Sequence, residues 1–225
     1  MFPINILLID DHDLFAKSLS IALEEYKEIE HFYTFQEISS LEDFLAGHRT
    51  DLILLDINLG KLARCDGLEI ARRLKRTHPE IKIVLLTGYD LPVYRHEAKK
   101  AGVSGFFNKS ISPEDLVASL QKIYHGSTCF PPESQDFLIE DLTDAEKKVL
   151  QLLGAGKKRK EAAKELYISE RTLSNHLQHI FEKLSVTSTV EAVTKAIRLG
   201  YLLPERESIK ISSATATAPG DEGDL

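Results

Sequence analysis

The chain has 225 residues, of which 43% are hydrophobic and 28% charged, and its formal net charge is −7 at pH 7. This composition favours a soluble protein with packed cores, and the length fits one large domain or two small ones. No basic stretch precedes an apolar one at the N-terminus, so we expect a cytoplasmic protein without a signal peptide and with no membrane partner. Cys65 and Cys129 lack metal-type spacing, and we expect free thiols in loops.

Short apolar runs alternate with helical patterns up to about residue 125. Runs of four apolar residues bounded by polar ones are typical of strands that are buried on both faces of a parallel sheet. The alternation predicts an α/β domain with helices on both faces of the sheet. Strands are predicted near residues 4–9, 30–35, 51–55, 81–86 and 104–107, and helices near 13–26, 40–46, 67–77, 91–101 and 113–124.

Four of the apolar runs end on residues that can hold a metal, a phosphate or its charge. The carboxyl ends of parallel strands share one edge of a sheet, and ligands bind in the crevice at that edge. Three carboxylates, one hydroxyl and one ammonium should therefore converge, which suits a hard divalent cation plus a phosphoryl group. The residues are Asp10 and Asp11 after the first run, and Asp56, Thr87 and Lys109 after three later runs.

Each of these residues also has a structural interpretation. A lone acidic pair after a strand usually caps a helix, and a lone lysine such as Lys109 is usually a solvated surface charge. The conjunction of all four strand ends favours a phosphoacceptor site. His12 follows the acidic pair, and we expect it to be a first-turn residue rather than a ligand.

Charge divides the chain into four segments. Residues 1–125 carry 15 basic and 19 acidic residues, net −4, and residues 126–141 add another −4 in a stretch with Gly and Pro that we interpret as a linker. Residues 142–204 are helical in pattern and carry 11 basic and 7 acidic residues, net +4. A cationic domain in an acidic chain is the asymmetry that a DNA-binding module needs. Residues 205–225 are predicted to be a disordered tail.

Capping signals mark the helices of the second half. Thr143 to Glu146 is a capping box that begins a helix ending near Gly154, and Ser169 begins another helix. A second capping box, from Ser188 to Glu191, begins the last helix.

The strand-end residues resemble the site of a CheY-like response-regulator receiver domain, and segments 166–177 and 181–186 resemble a LuxR-type helix-turn-helix. Together the two halves resemble the NarL/FixJ class of two-component transcription regulators. The resemblance covers about nine-tenths of the chain. It implies a flavodoxin-like, doubly wound parallel sheet of five strands in residues 1–125, and an all-α helix-turn-helix domain of four helices in residues 142–204.

The resemblance also implies a Mg²⁺ site. In this family Asp11 and Asp56 would bind the metal directly, Asp10 would act mainly through water, and the backbone carbonyl of Asn58 would complete the protein ligands. Three carboxylates that lie close together repel one another, and a cation relieves that repulsion.

The roles of the remaining receiver residues follow from the same resemblance. Asp56 would accept the phosphoryl group from a sensor histidine kinase, and Thr87 and Lys109 would bind its oxygens. Phe106 stands where the family has a switch aromatic, although an aromatic there is equally well explained as core.

The helix that begins near Glu170 has one apolar face, and its opposite face would lie in the major groove of double-stranded DNA. Asn and Gln can pair bidentately with adenine, whereas basic side chains contact phosphates. The basic run at 157–160 is either a solvated surface or, as we favour, a phosphate contact. We expect base contacts from Ser174, Asn175 and Gln178, and phosphate contacts from Lys158, Arg159, Lys160, Arg171, Thr172 and His179.

The last helix presents Val190, Val193, Ile197 and Tyr201 along one side. By resemblance its exposed face would form a homodimer, whereas by periodicity alone it packs on the core. The resemblance also suggests that the first domain covers the recognition helix until phosphorylation shifts the population.

The sequence departs from the family in two places. The loop from Asn58 to Cys65 is about three residues longer than usual and lacks a Met-Pro turn, which affects the placement of Asn58. Ser110 stands where many receivers have proline.

We therefore expect a cytoplasmic regulator, not an enzyme, that binds DNA as a dimer when Asp56 is phosphorylated. One alternative is a DNA-binding regulator that a partner protein or dimerisation controls without phosphate, but the intact set of site residues speaks against it. Another is a metal-dependent phosphohydrolase. Such enzymes usually carry an acid where Asn58 stands, and the appended DNA-binding domain also argues against turnover.

Overall fold

The apolar runs of the first half form a five-stranded parallel sheet in the computed structural model, which describes residues 3–35, 37–60, 66–88, 90–132 and 140–202. The strands are β1 (Ile4–Ile9), β2 (Ile29–Phe35), β3 (Leu52–Asp56), β4 (Lys82–Thr87) and β5 (Gly105–Asn108). Their order in the sheet is β2-β1-β3-β4-β5, and all neighbouring pairs are parallel. The predicted flavodoxin-like sheet is confirmed.

Helices cover both faces of this sheet, which explains why β1 and β3 are apolar at nearly every position. Leu7 and Ile53 point into one core, and Leu8 and Leu54 point into the core on the opposite face. All residues of β1 and β3 are buried. The helices are α1 (Asp13–Leu23), α2 (Leu41–Gly47), α3 (Gly67–Thr77), α4 (Pro92–Lys100) and α5 (Pro113–Tyr124).

The ends of a helix can be predicted where the sequence contains capping residues or proline. The bounds of α5 agree with the prediction because the Ser112 side chain accepts a hydrogen bond from the Asp115 backbone and Pro113 occupies the first turn. The predicted end of α1 near residue 26 is wrong. The backbone N–H of Tyr26 instead donates to the Leu23 carbonyl in a turn that leads into β2.

The strand order reverses between β1 and β3, which lie side by side at the centre of the sheet. The segments that follow these two strands therefore leave the sheet at its carboxyl edge in opposite directions and open a crevice there. Asp10 and Asp11 lie after β1, and Asp56 is the last residue of β3.

The described residues 140–202 form four helices, as predicted, around a core to which Val93 of α4 also contributes. Leu173, Leu177 and Ile180 on the third of these helices are buried. The fourth buries Ala192 and Ala196. The helices are α6 (Asp144–Gly154), α7 (Arg159–Glu165), α8 (Glu170–Leu184) and α9 (Thr189–Leu199).

Two details of the last helix differ from the sequence patterns. Val190 is 76% exposed and Ile197 is 43% exposed, so periodicity was wrong to place them on the core. The capping box is also only half formed, because Ser188 accepts from the Glu191 backbone while the Glu191 carboxylate accepts from the backbone of Thr187.

Part of the predicted linker belongs to the sheet domain. Cys129 pairs with the edge strand β5, since its backbone N–H donates to the Ser104 carbonyl and its carbonyl accepts from Phe106. Phe130 packs against the core of the sheet domain. Residues 133–139 of the linker and the predicted tail lie outside the described residues, as does Cys65. Across the described ranges, no helix has the length and apolar character that crossing a membrane requires.

Gly67 is required where α3 begins against the end of β3. A Cβ added at this position would lie 2.1 Å from the backbone oxygen of Asp56, and the Gly67 N–H donates to the Ile57 carbonyl. Such a contact involves backbone atoms and cannot be relieved by a rotamer change.

We predict that Gly67→Ala lowers the free energy of unfolding by about 1–3 kcal/mol, the usual cost of overpacking. Gly47→Ala is the matched control, because a Cβ there meets no atom within 4 Å and alanine is favoured in a helix. Urea denaturation of both variants measures the difference. Equal stability of the two variants would contradict the close packing of α3 on β3.

Candidate functional site

Three acidic side chains meet at the carboxyl edge of the sheet, as predicted. The side chains of Asp10 and Asp56 are 0% and 2% exposed, and that of Asp11 is 15% exposed. One oxygen from each of these carboxylates and the His12 imidazole lie within 4.8 Å of one another. Like charges this close and this far from water repel strongly unless a positive charge compensates them.

The Lys109 ammonium supplies part of that compensation. Its Nζ lies 2.7 Å from Asp10 Oδ2 and 2.7 Å from Asp56 Oδ2. The Lys109 backbone N–H donates to the Thr87 carbonyl at 2.8 Å, which fixes the end of β5 beside the end of β4. The predicted convergence of the Lys109 side chain on the acidic residues is therefore present in the structure.

Opposing effects act on the pKa of the Asp56 carboxyl group. Burial raises the pKa of its carboxyl group above the ordinary value and the charge of Asp10 acts in the same direction, whereas the hydrogen bond and charge of Lys109 oppose them. The net direction is upward, so one ammonium does not fully offset burial. An additional cation at the site would favour the ionised, nucleophilic form of Asp56.

The donor set fits a hard divalent cation. Carboxylate oxygens are preferred ligands of such ions, and the Asp11 Oδ1 atom is buried without a well-aligned hydrogen bond from the described residues. Gly60 brings the backbone close to the acids, since an added Cβ would lie 3.0 Å from Asp11 Oδ2. Asn58 is half-buried, and its backbone N–H donates to Asp56. Residues 61–65 of the long loop lie outside the described residues.

Thr87 and Phe106 have different environments at this edge. Thr87 is fully buried at the end of β4. Phe106 is also fully buried and belongs to the core between the sheet and α3 and α4. The core interpretation of Phe106 is thus observed, and its switch role stays a prediction.

His12 differs from its sequence interpretation. It is the N-cap of α1, close to the expected first turn, but its ring turns into the acidic cluster. The Nδ1 atom lies 2.8 Å from Asp11 Oδ1 and 3.2 Å from Asp10 Oδ1. The only feature of the sequence that suggested this contact was the position of His12 directly after two acidic residues. That position alone does not determine which way the ring points.

The second candidate surface lies on α7 and α8. The two helices are joined by a tight turn at Tyr167, which has a φ of 55° and donates its backbone N–H to the Lys164 carbonyl. α8 turns its apolar face inward and its polar face to solvent. All predicted contact residues are exposed: Lys158, Arg159, Lys160, Arg171, Thr172, Ser174, Asn175, Gln178 and His179.

Some of these side chains have partners within the chain. The Ser174 hydroxyl donates to the Glu170 carbonyl, and the Gln178 amide donates to Glu182. Arg159 donates to the Thr189 hydroxyl of α9, which ties α7 to α9. To contact a base, the Gln178 amide must give up its hydrogen bond to Glu182. Because this hydrogen bond is exposed to water, its loss costs little.

The contact between the two domains runs through α4. Its basic residues hold the connecting segment, since Lys100 Nζ lies 2.6 Å and His96 Nε2 lies 3.1 Å from the Asp141 carboxylate. Arg95 donates to the Pro132 carbonyl, and Lys99 lies 5.5 Å from the centre of the Phe130 ring. Sequence reasoning missed this basic surface, although the charge of the acidic linker was a signal for it.

The domain contact involves the C-terminal end of α9 and leaves the polar face of α8 exposed. The Leu91 side chain packs against Gly200, and Ile197 lines a cleft of about 810 Å³ between the domains. The polar face of α8 is exposed, so the expectation that the first domain covers the recognition helix is wrong for this arrangement.

A buried ion pair connects α8 to α6. Glu146 is 3% exposed, and its carboxylate lies 2.8 Å from Lys183 Nζ and accepts from the Thr143 backbone N–H. Burial alone would raise the pKa of Glu146, but the hydrogen bonds from Lys183 and Thr143 outweigh burial and hold the pKa below its ordinary value. Lys183 also donates to the Asp141 carbonyl.

Comparison with known proteins identifies both halves of the chain. The model of the response regulator receiver domain matches residues 6–121, and the model of bacterial regulatory proteins of the luxR family matches residues 140–196. The transcriptional regulatory protein DesR of Bacillus subtilis (strain 168) is 33% identical over 202 residues, covering 88% of this chain and 98% of DesR.

Two further proteins are similar over most of their length. The response regulator protein VraR of Staphylococcus epidermidis is 30% identical over 209 residues, covering 87% of this chain and 97% of VraR. A structure of RcsB from Salmonella enterica serovar Typhimurium, bound to promoter rprA in the presence of the phosphomimetic BeF₃⁻, is 25% identical with a TM-score of 0.59. That match covers 85% of this chain and 97% of RcsB.

We predict that Lys183→Met lowers the free energy of unfolding of the second domain by about 1–3 kcal/mol, because Glu146 is left buried without its cation. Since the pKa of Glu146 is lowered, the stabilisation is complete above its unfolded-state pKa and is lost as the pH falls through the folded-state pKa. Lys148→Met, at an exposed position of α6, is the control. Chemical denaturation between pH 3 and 7 should show a difference that shrinks below about pH 4; a pH-independent difference would contradict the assignment.

Proposed function

Since this chain belongs to the NarL/FixJ class of two-component response regulators, we propose that phosphorylation of Asp56 controls its binding to double-stranded DNA. The observation that carries the proposal is the meeting of three carboxylates with the Lys109 ammonium at one edge of the sheet. The protein acts in the cytoplasm, takes its phosphoryl group from a sensor histidine kinase, and binds DNA as a homodimer.

Phosphorylation uses the Asp56 carboxylate as the nucleophile. One of its oxygens forms a bond to phosphorus while the bond to the donor's leaving group breaks, and the leaving group keeps the electron pair. Mg²⁺, when bound, offsets the negative charge of the carboxylates and of the phosphoryl oxygens. Asp11 and Asp56 would hold it directly, Asp10 would act mainly through water, and Asn58 would contribute its backbone carbonyl. Lys109 supplies a second positive charge where negative charge accumulates.

Phosphorylation at Asp56 affects the contact between the domains through β4 and α4. Thr87 ends β4, and α4 begins five residues later at Pro92. When the Thr87 hydroxyl donates to a phosphoryl oxygen, the connection to α4 is drawn toward Asp56, and Phe106 repacks in the core beside it. α4 also carries the contacts to Asp141, so a shift of α4 weakens the contact between the domains. The shift is limited by how much better the phosphorylated site fits the second arrangement.

Release of the domain contact favours dimerisation. In the closed arrangement α4 packs on the C-terminal end of α9 at Gly200, and Ile197 faces the cleft. Opening frees Ile197 at this end of α9, and together with Val190, which is already exposed at the other end, it then packs against a second copy. A two-fold dimer places two copies of α8 in successive major grooves.

DNA is read by the polar face of α8. Ser174, Asn175 and Gln178 contact base edges, where Asn and Gln recognise adenine. Basic and polar residues around them contact phosphates, which position the domain without reading sequence. The phosphate-contacting residues are Lys158, Arg159, Lys160, Arg171, Thr172 and His179. RcsB, which is similar to this chain, is bound to a promoter in the presence of a phosphomimetic, and this supports DNA binding and its link to phosphorylation.

Control by a partner protein or by dimerisation alone is the alternative. It gives no role to the buried contact between Lys109 and Asp56 or to the acidic cluster beside them. DesR and VraR are regulators by name, which supports regulation rather than enzymatic turnover.

The first prediction concerns the phosphoacceptor. We expect Mg²⁺-dependent uptake of one phosphoryl group from acetyl phosphate, and we expect Asp56→Asn to abolish it because the nucleophile is lost. Asp43→Asn, an exposed acid of α2, is the control and should be phosphorylated like the unaltered chain. Intact-mass spectrometry measures the adduct, and an undiminished adduct in Asp56→Asn would rule out this residue.

The second prediction concerns sequence reading. Asn175→Ala and Gln178→Ala should each cost about 1–3 kcal/mol on the preferred site and relax base preference there. Lys158→Ala should weaken binding to all sequences alike and reduce the slope of log affinity against log salt by about one unit. Binding selection on a randomised DNA library, followed by titrations at several salt concentrations, separates the two effects. The proposed reading face fails if Lys158→Ala alters base preference and Asn175→Ala does not.

The third prediction concerns coupling. Asp141→Asn weakens the contacts to His96 and Lys100, which are exposed ion pairs and therefore individually weak. We therefore expect the unphosphorylated variant to bind DNA about two- to fivefold more tightly than the unaltered chain. Asp144→Asn, which removes the same charge from the exposed first turn of α6, is the control. If Asp141→Asn binds no better than this control at any protein concentration, the contact does not restrain DNA binding.

A further inference from the structure

His12 holds its imidazole against the cation site. The residue caps α1, and its backbone N–H donates to Asp10 Oδ1 at 2.9 Å. The Nδ1 atom lies 2.8 Å from Asp11 Oδ1, 3.2 Å from Asp10 Oδ1 and 3.8 Å from Asp56 Oδ2. The side chain is 46% exposed, so the opposite ring nitrogen, Nε2, can reach water.

These separations match those of ligands that share one cation. At metal–ligand distances of about 2.1 Å, adjacent ligand atoms of an octahedral or tetrahedral ion lie about 3.0–3.4 Å apart, and opposite atoms of an octahedron about 4.2 Å. The three distances from Nδ1 fall in or near this range, and the set as a whole lies within 4.8 Å. The shortest of them, to Asp11 Oδ1, joins two atoms that do not form a well-aligned hydrogen bond. The 3.2 Å contact to Asp10 Oδ1 is a hydrogen bond when Nδ1 carries the proton, and a cation bound at Nδ1 replaces that proton.

Lys109 and His12 use largely different oxygens. Lys109 Nζ contacts Asp10 Oδ2, whereas His12 Nδ1 contacts Asp10 Oδ1. Only Asp56 Oδ2 lies near both groups, at 2.7 Å from Lys109 and 3.8 Å from His12. An ion between His12 and the carboxylates can therefore bind without displacing the ammonium.

We propose that His12 Nδ1 is a nitrogen ligand of this cation site, and that the site consequently binds late first-row transition cations such as Co²⁺, Ni²⁺ and Zn²⁺ more tightly than Mg²⁺. The inference rests on the cation site of the proposed function. Imidazole suits these ions, whereas Mg²⁺ prefers oxygen ligands and keeps several waters. The ligand is the neutral imidazole, with its proton on Nε2.

The competing explanation is that a protonated His12 only neutralises the carboxylates. The two explanations predict opposite results when the ring is removed. Loss of a ligand weakens the binding of transition cations, whereas loss of a competing positive charge strengthens the binding of every divalent cation.

The experiment compares His12→Asn with the unaltered full-length chain. Affinity for Co²⁺ is followed by visible absorption and affinity for Mg²⁺ by calorimetry. We expect Co²⁺ affinity to fall at least about tenfold, since even indirect partners of a metal site cost about 10–100-fold, while Mg²⁺ affinity changes little. His125→Asn, an exposed histidine after α5, controls for adventitious binding and should change neither affinity.

Pulsed electron paramagnetic resonance of bound Mn²⁺ gives an independent readout. We expect coupling to a directly bound ¹⁴N nucleus in the unaltered chain and in His125→Asn, and none in His12→Asn. Absence of this coupling from the unaltered chain, or unchanged or tighter Co²⁺ binding by His12→Asn, would overturn the assignment.

Asp11→Asn separates failure of this inference from failure of the proposed function. If Asp11→Asn weakens both Mg²⁺ and Co²⁺ while His12→Asn weakens neither, the cation site stands and only the nitrogen ligand is refuted. If Asp11→Asn leaves both affinities unchanged, the cation site of the proposed function is itself refuted, and the inference on His12 with it.

Discussion

Negative charge held out of water at the carboxyl edge of the sheet is the interaction on which the rest of the structure depends. The strand order places β1 beside β3. The side chains of Asp10, Asp11 and Asp56, which lie at the ends of these two strands, are therefore close together. Lys109 reaches the same point from β5 and offsets part of the repulsion. The positive charge of Lys109 does not fully compensate the carboxylates, so under the proposed function a bound cation or phosphoryl group would change the charge of the site and shift the surrounding elements.

α4 is the helix best placed to move when the charge at the acidic site changes. One end connects to Thr87 at the edge of the charged site, and its basic side meets the acidic segment that leads to the second domain. Exposed ion pairs of this kind are individually weak, which fits the proposal that the contact opens when Asp56 is phosphorylated. Lys183 extends the path, since it contacts the Asp141 carbonyl and belongs to α8. A small displacement of α4 is thereby linked to the domain that carries the DNA-reading helix.

Much of this could be predicted from sequence, because the decisive signals are local. Buried strands produce apolar runs, and parallel strands place their ends at one edge, so the residue pattern alone locates the acidic cluster and Lys109. Ser112 and Pro113 defined α5 for the same reason. Three details could not be predicted. The direction of the His12 ring depends partly on Asp56, which is distant in sequence, and the exposure of Val190 depends on how α9 packs on the other helices. The turn from Leu23 to Tyr26 that ends α1 contains no Gly or Pro to mark it. The contact between α4 and Asp141 could be anticipated only from the charge difference between segments of the sequence. Hydrophobic periodicity gives no information about such an ionic contact.

Hydrogen–deuterium exchange on the full-length chain, with and without Mg²⁺ and beryllofluoride, tests most directly whether the phosphoacceptor site acts on the second domain through α4. We expect faster exchange in α4, around residues 140–143 and at the C-terminal end of α9 when beryllofluoride is present, with α2 unchanged as an internal reference. Slower exchange around Lys109, which would report occupancy of the site, together with unchanged exchange in α4 and α9 would contradict it.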